Sequence, residues 1–189
     1  MDQRFFDAMA ASPVIAAVKD SQGLKESLTL DEIQVVFLLF GDICSIAGLV
    51  AQVKAAGKIA IVHADLVSGL SGGKEIAVDF IKNATQADGI ISTRPNFIRR
   101  AKELHLYTIL RVFIIDSMAL AGVENLEKVR PDFLEILPGV MPKTIRKVCQ
   151  MVHTPVLAGG LITDKEDVLS ALNAGAMAIS TTNPQVWNL

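Results

Sequence analysis

Lys19, Asp65, Arg111 and Glu135 each stand inside or just after a run of apolar residues, where packing alone would place Val, Ile or Ala. Burying such charges unpaired is costly. The four therefore predict either an internal Lys–Glu or Arg–Glu network or a polar ligand that they meet together. A second chemistry lies in the last quarter of the chain, AGGLITDKEDVLSALNAGAMAISTTNP. Gly159 and Gly160 let a ligand approach backbone N–H groups with no Cβ in the way. Ser180, Thr181 and Thr182 supply hydroxyls. Asn183 and Pro184 form an N-cap and first-turn pair whose short helix turns its positive end to the same place. These six residues, Gly159, Gly160, Ser180, Thr181, Thr182 and Asn183, predict a phosphate site; the plainer alternative is a turn followed by a cap. His63 and Asp65 share one strand face, but no third ligand accompanies them, so no metal is expected. The segment SGLSGGKE, Ser68 to Glu75, is glycine-rich but lacks the spacing and Lys-Ser/Thr ending of a Walker loop. It reads as a flexible loop from which Lys74 could reach an anion.

The elements that position these residues follow from eight nearly continuous apolar runs. They are PVIAAV from Pro13, VVFLLF from Val35, IAIVHAD from Ile59, ADGIIST from Ala87, YTILRVFII from Tyr107, PDFLEILP from Pro131, PVLAGG from Pro155 and AMAISTT from Ala176. Continuous rather than alternating apolar character marks strands covered on both faces, as in a parallel sheet. Amphipathic helix patterns fill the intervals. One carries Ile46, Leu49, Val50 and Val53 and stops at Gly57; others begin at Pro95 and Pro142, and others are capped by Asp116 or Ser117 and by Asp164. Eight strands alternating with helices predict one α/β domain over residues 1–189, a small (β/α)8 TIM-type barrel. A doubly wound open sheet is the alternative, but it usually stops at fewer strands. A typical barrel takes about 250 residues, so the loops must be short, the first helix near Gln22–Leu28 stunted and the last truncated. Phe5, Phe6 and Met9 at helical spacing predict a helix within residues 1–12 that caps the barrel bottom. Trp187 either closes the seam between the last and first strands or sits in a subunit interface.

In such a barrel, binding groups gather at the C-terminal ends of the strands, where Lys19, His63, Asp65, Arg111, Glu135, Gly159, Gly160 and Ser180 to Thr182 fall. Composition narrows the classes further. The chain is 51% hydrophobic and 20% charged, which excludes disorder, and its net charge of -2 excludes a generally basic nucleic-acid protein. Aromatics are 5% of residues, which argues against a base-stacking platform for single strands. Cys44 and Cys149 stand too far apart in sequence and alone, forming neither a disulfide framework nor a zinc motif. The apolar window Val35–Ala51 is interrupted by Gly41 and Asp42 and reads as a strand and helix, not a membrane span. No basic stretch followed by an apolar run opens the chain, so a cytoplasmic protein is expected.

Basic residues cluster on two helices: Arg94, Arg99, Arg100 and Lys102 on or before the one opening at Pro95, and Lys143, Arg146 and Lys147 on the one opening at Pro142. Most such clusters are solvated faces, and these two helices are not neighbours around a barrel; a homodimer would join them. The segments VHADLVSGLSGGKEIAVDFI, ADGIISTRPNFIRRAKEL, IIDSMAL, DFLEILPGVMPK and AGGLITDKEDV with AGAMAISTTNPQVW resemble the glycerol-3-phosphate-responsive antiterminator of the glycerol uptake operon. The likeness runs from Pro13 to Trp187. It implies a regulator, not an enzyme, that binds leader mRNA when it holds glycerol 3-phosphate and so prevents premature transcription termination. No cofactor is implied beyond that effector. The ligand's phosphate would meet the glycine and hydroxyl loops, and its two hydroxyls Lys19, Asp65, Arg111 or Glu135. The RNA contacts rest on the basic helices by composition alone. A rival reading is a phosphometabolite isomerase, lyase or transferase, with Lys19 or Lys74 forming a Schiff base and Asp65 or Glu135 acting as acid or base. A third is a ligand-binding protein that acts through protein contacts.

Overall fold

Each of the eight apolar runs folds as a strand. In the computed structural model, which describes residues 4–70 and 72–189, the strands pair in parallel and in chain order into a closed barrel. They are β1 (Val14–Val18), β2 (Val35–Leu38), β3 (Ile59–His63), β4 (Gly89–Ser92), β5 (Tyr107–Phe113), β6 (Phe133–Leu137), β7 (Val156–Gly159) and β8 (Ala178–Thr181). The ring closes by pairing β8 with β1, Ile15 opposite Ser180 and Ala16 opposite Thr181. Burial on both faces explains the continuous runs. In β1, Ile15 and Ala17 join the cluster inside the barrel, while Val14, Ala16 and Val18 pack outward under the helices.

The helices are α1 (Arg4–Ala11), α2 (Ser21–Leu28), α3 (Ile46–Ala55), α4 (Ile76–Ala84), α5 (Pro95–Glu103), α6 (Ser117–Glu127), α7 (Pro142–Met151), α8 (Lys165–Asn173) and α9 (Pro184–Trp187). Their starts are written in the sequence. Asp20, Asp116 and Asp164 cap α2, α6 and α8 through their carboxylates, and Pro occupies the first turn of α5, α7 and α9. At α8 the cap is reciprocal. Asp167 donates its N–H to Asp164, and its own carboxylate accepts from the N–H and hydroxyl of Thr163.

Of the leading helix expected within residues 1–12, α1 is described, while residues 1–3 lie outside the described residues. It lies across the N-terminal end of the barrel. Phe5 and Met9 are buried in the inner cluster, and the Phe5 ring stacks obliquely on Phe133 and Tyr107 at 4.7 and 5.0 Å. At the other end of the chain, α9 is a single turn. Trp187 is 2% exposed, donates its indole N–H to the Thr181 carbonyl at 2.9 Å, and closes the seam between β8 and β1. The window Val35–Ala51 divides into β2 and the start of α3, and among the described residues no helix is long and apolar enough to cross a membrane.

Candidate ligand site at the barrel mouth

Strand parity decides which side chains reach the mouth. Ile109 on β5 and Phe133 on β6 point into the barrel, so Arg111 and Glu135, two residues further on and opposite one another in register, also point inward. Glu135 is fully buried. Its Oε2 accepts from the Arg111 Nε at 2.6 Å and its Oε1 from the Ser180 hydroxyl at 2.5 Å. The second bond spans β7, from β6 to β8, and passes over Gly159. A Cβ at Gly159 would lie 2.5 Å from Ser180 Oγ and 2.7 Å from Glu135 Oε1. The glycine is thus required by the carboxylate that crosses above it. At Gly160 the backbone has φ +78°, its carbonyl accepts from the Gly139 N–H at 3.0 Å, and a Cβ would meet Leu137 at 3.1 Å. At both glycines the space that a Cβ would occupy is taken by protein atoms.

The remaining phosphate candidates also gather here, with most of their polar groups turned to one another. The Thr181 hydroxyl donates to the Ile162 carbonyl at 2.8 Å and accepts the Asn183 N–H. Asn183 caps Gln185 and donates to the Thr163 carbonyl. Thr182 remains exposed. It shares a cavity of about 270 Å³ with Lys19, Asp20, Gln22 and Pro184. Lys19, expected among the hydroxyl-binding groups, therefore sits with the phosphate candidates, because the closed ring brings the end of β1 beside the end of β8.

Asp65 is held in a polar network, one of the two arrangements expected for it. Its carboxylate accepts from the Ser92 hydroxyl at 2.9 Å, the Thr93 N–H at 2.7 Å and the Thr93 hydroxyl at 3.0 Å, and pairs with Arg94 Nε at 3.2 Å. It ties the loop after β3 to the end of β4. Arg94, expected on a basic outer face, is drawn into this tie and lies over the Phe97 ring. The loop expected to be flexible is fastened on both sides where it is described. Ser68 exchanges backbone bonds with Gly41 and Ile43, and Asn96 donates to the Gly73 carbonyl. Ser71 lies outside the described residues.

His63 is the residue whose importance the sequence reading missed, since it weighed the ring only as half of a metal pair. It ends β3, 3% exposed, and its Nδ1 has no hydrogen-bond partner. Burial, reinforced by the positive charge of Arg111, pushes its pKa down to about 4 against the opposing pull of Asp65, Glu135 and the backbone of His63 itself. The ring is therefore neutral at physiological pH. Among the described residues, no group of three or more His, Cys, Asp or Glu is placed to hold a metal ion.

The basic helices differ in character. On α5, Arg100 is committed to Asp79 on α4 and to Glu103, and Lys102 donates to the Arg130 carbonyl at the opposite end of the barrel. Arg99 alone of that cluster is exposed. On α7, Lys143, Arg146 and Lys147 are all exposed at i, i+3 and i+4, on one face of the helix.

A family model described as glycerol-3-phosphate responsive antiterminator matches residues 14–187, from the first residue of β1 to the last of α9. The chain belongs to this antiterminator family. Among curated proteins, it is 44% identical over 180 residues to the uncharacterized protein YgcP of Escherichia coli (strain K12), covering 94% of this chain and 93% of that one. Among solved structures, it is similar to the glycerol uptake operon antiterminator regulatory protein from Listeria monocytogenes, at 38% identity and a TM-score of 0.88 over 92% of this chain and 94% of that one. It is also similar to a glycerol uptake operon antiterminator-related protein from Thermotoga maritima, at 34% identity and a TM-score of 0.80 over 94% and 99% of the two chains. The antiterminator family thus covers the whole barrel, including every residue of the mouth described above.

Proposed function

We propose that this protein is a cytoplasmic glycerol 3-phosphate sensor that binds leader mRNA and prevents premature transcription termination of glycerol-utilisation genes. The observation that carries this reading is the antiterminator match over residues 14–187. The chemistry of the mouth supports the ligand. Lys19 and the Thr182 hydroxyl, with the backbone at Gly160, suit the phosphate, while Gly159, Ser180, Thr181 and Asn183 hold that corner in shape. Arg111 and Glu135 suit the hydroxyl end. Arg111 commits its Nε–H to Glu135, and a guanidinium carries five N–H donors, so others serve a ligand. Asp65 acts at one remove, anchoring the loop beside them. The ligand leaves unchanged, so no catalytic residue is assigned.

For the ligand to control RNA binding, the RNA-competent state must hold it more tightly than the incompetent one. RNA affinity would come mainly from phosphate contacts, and specificity from unpaired bases. The α7 face of Lys143, Arg146 and Lys147, with Arg99 on α5, suits the backbone contacts better than Arg94, Arg100 or Lys102, whose charges are already answered. A homodimer would bring α5 of one protomer towards α7 of its partner. The test is filter retention of leader RNA at several salt concentrations, with and without glycerol 3-phosphate. Retention is expected only with the ligand. Changing Lys143, Arg146 and Lys147 together to Ala is expected to weaken it at least tenfold and reduce the salt slope by about 3. An unchanged slope would move the RNA site off α7. Consumption of glycerol 3-phosphate in the same mixture would replace the regulator with a phosphometabolite enzyme.

A further inference from the structure

The Nδ1 of His63 has no hydrogen-bond partner on any other residue, in a side chain only 3% exposed, beside carboxylates that are paired. Buried polar atoms without partners are rare in folded proteins and are expensive to maintain. Every neighbouring ionisable group has its own partners. Glu135 is answered by Arg111 and Ser180, and Asp65 by Ser92, Thr93 and Arg94. Strand parity sends His63 inward above Ile59 and Ile61, into the same mouth as Arg111 and Glu135. We propose that His63 is a specificity-determining residue of the mouth, whose Nδ1 forms a hydrogen bond with a hydroxyl group of the bound ligand. The inference rests on the sensor reading above and deepens it by naming the group that tells glycerol 3-phosphate from other small phosphates.

A hydroxyl is suited to this position because it both donates and accepts, and so satisfies either tautomer of a neutral imidazole. The ring's low pKa keeps it neutral near pH 7, despite Asp65 and Glu135 nearby. A phosphate oxygen is a poorer partner here, since it only accepts and the buried Glu135 carboxylate is close by. A site built to hydrogen-bond a hydroxyl rejects an analogue that lacks it, because the buried partner is then stranded.

The experiment is calorimetric titration of the wild-type chain and His63→Leu with glycerol 3-phosphate and with its two monodeoxy analogues, each lacking one hydroxyl. His63→Leu is expected to weaken glycerol 3-phosphate binding roughly 10- to 100-fold. One analogue is expected to bind the wild-type chain about that much more weakly, and to lose nothing further in the variant. Equal weakening for all three ligands would make His63 merely structural and overturn the proposal, as would no weakening at all. If the wild-type chain does not bind glycerol 3-phosphate, the sensor reading itself fails and takes the proposal with it, a result distinct from either of these. A second measurement needs no substitution. The His63 Nδ1 resonance in the 15N spectrum of the wild-type chain is expected to shift on adding glycerol 3-phosphate and to stay in place with inorganic phosphate. A resonance unmoved by saturating glycerol 3-phosphate would overturn the proposal even if the variant fails to fold.

Discussion

Glu135→Ala is expected to destabilise the protein by about 3–5 kcal/mol, because it strands the Arg111 guanidinium, whose side chain is only 10% exposed. It also removes the acceptor of the Ser180 hydroxyl, which is 3% exposed, and opens space above Gly159. At roughly 2–4 °C per kcal/mol for a chain of this size, the melting temperature should fall by on the order of 10 °C. The expectation has a second half that separates charge stranding from lost packing. Replacing both partners, Arg111→Met with Glu135→Leu, removes two buried charges together and should recover much of the loss. Urea unfolding of the wild-type chain, the single variant and the double variant measures both effects. A single variant within about 0.5 kcal/mol of wild type would mean that this network does not hold the mouth together. Ligand binding should be lost in the double variant whatever its stability, since the charged centre is gone.

The second large effect is on acid stability. His63 is held neutral in the folded chain, with a pKa of about 4 instead of 6.5, chiefly by burial and then by Arg111. The unfolded chain therefore takes up this proton more readily. The contribution to stability is fully present above pH 6.5 and is lost as pH falls from 6.5 towards 4. A depression of this size corresponds to about 3 kcal/mol over that window. His63→Leu should accordingly show a flatter stability curve between pH 6.5 and 4 than the wild-type chain, the two differing in slope but not in their response above pH 7. Parallel curves from pH 7 to pH 4 would mean that the ring is not held neutral against protonation. Asp65 and Glu135, which face the ring along with Arg111, favour its protonation and set the lower limit of the window.

The barrel was legible because its signal is local. Burial on both faces makes each strand a continuous apolar run, and Asp116, Asp164 and the prolines at 95, 142 and 184 mark helix starts within a few residues of where the chain turns. The inventory of polar groups at the mouth was legible for the same reason, since Arg111 and Glu135 interrupt apolar runs. Their partners were not. Glu135 reaches Ser180 across an intervening strand, a contact 45 residues apart in sequence. That contact by itself requires a glycine at 159. Lys19 changes companions because ring closure sets β1 against β8. Arg100 looks like a free cation until α4 brings Asp79 beside it at 2.5 Å. His63 was hardest to read. An unpartnered nitrogen is a property of its surroundings, and the pattern of residue types around it resembles an incomplete metal site.

The most direct test of the central claim is titration of the wild-type chain with glycerol 3-phosphate in a calorimeter, with glycerol and inorganic phosphate titrated separately. The account predicts saturable binding of glycerol 3-phosphate at one site per chain, far tighter than either half alone, with the ligand recovered unchanged from the cell. Absence of binding would contradict it outright, and binding matched by inorganic phosphate alone would contradict it and leave a phosphate-binding barrel with no means of recognising glycerol.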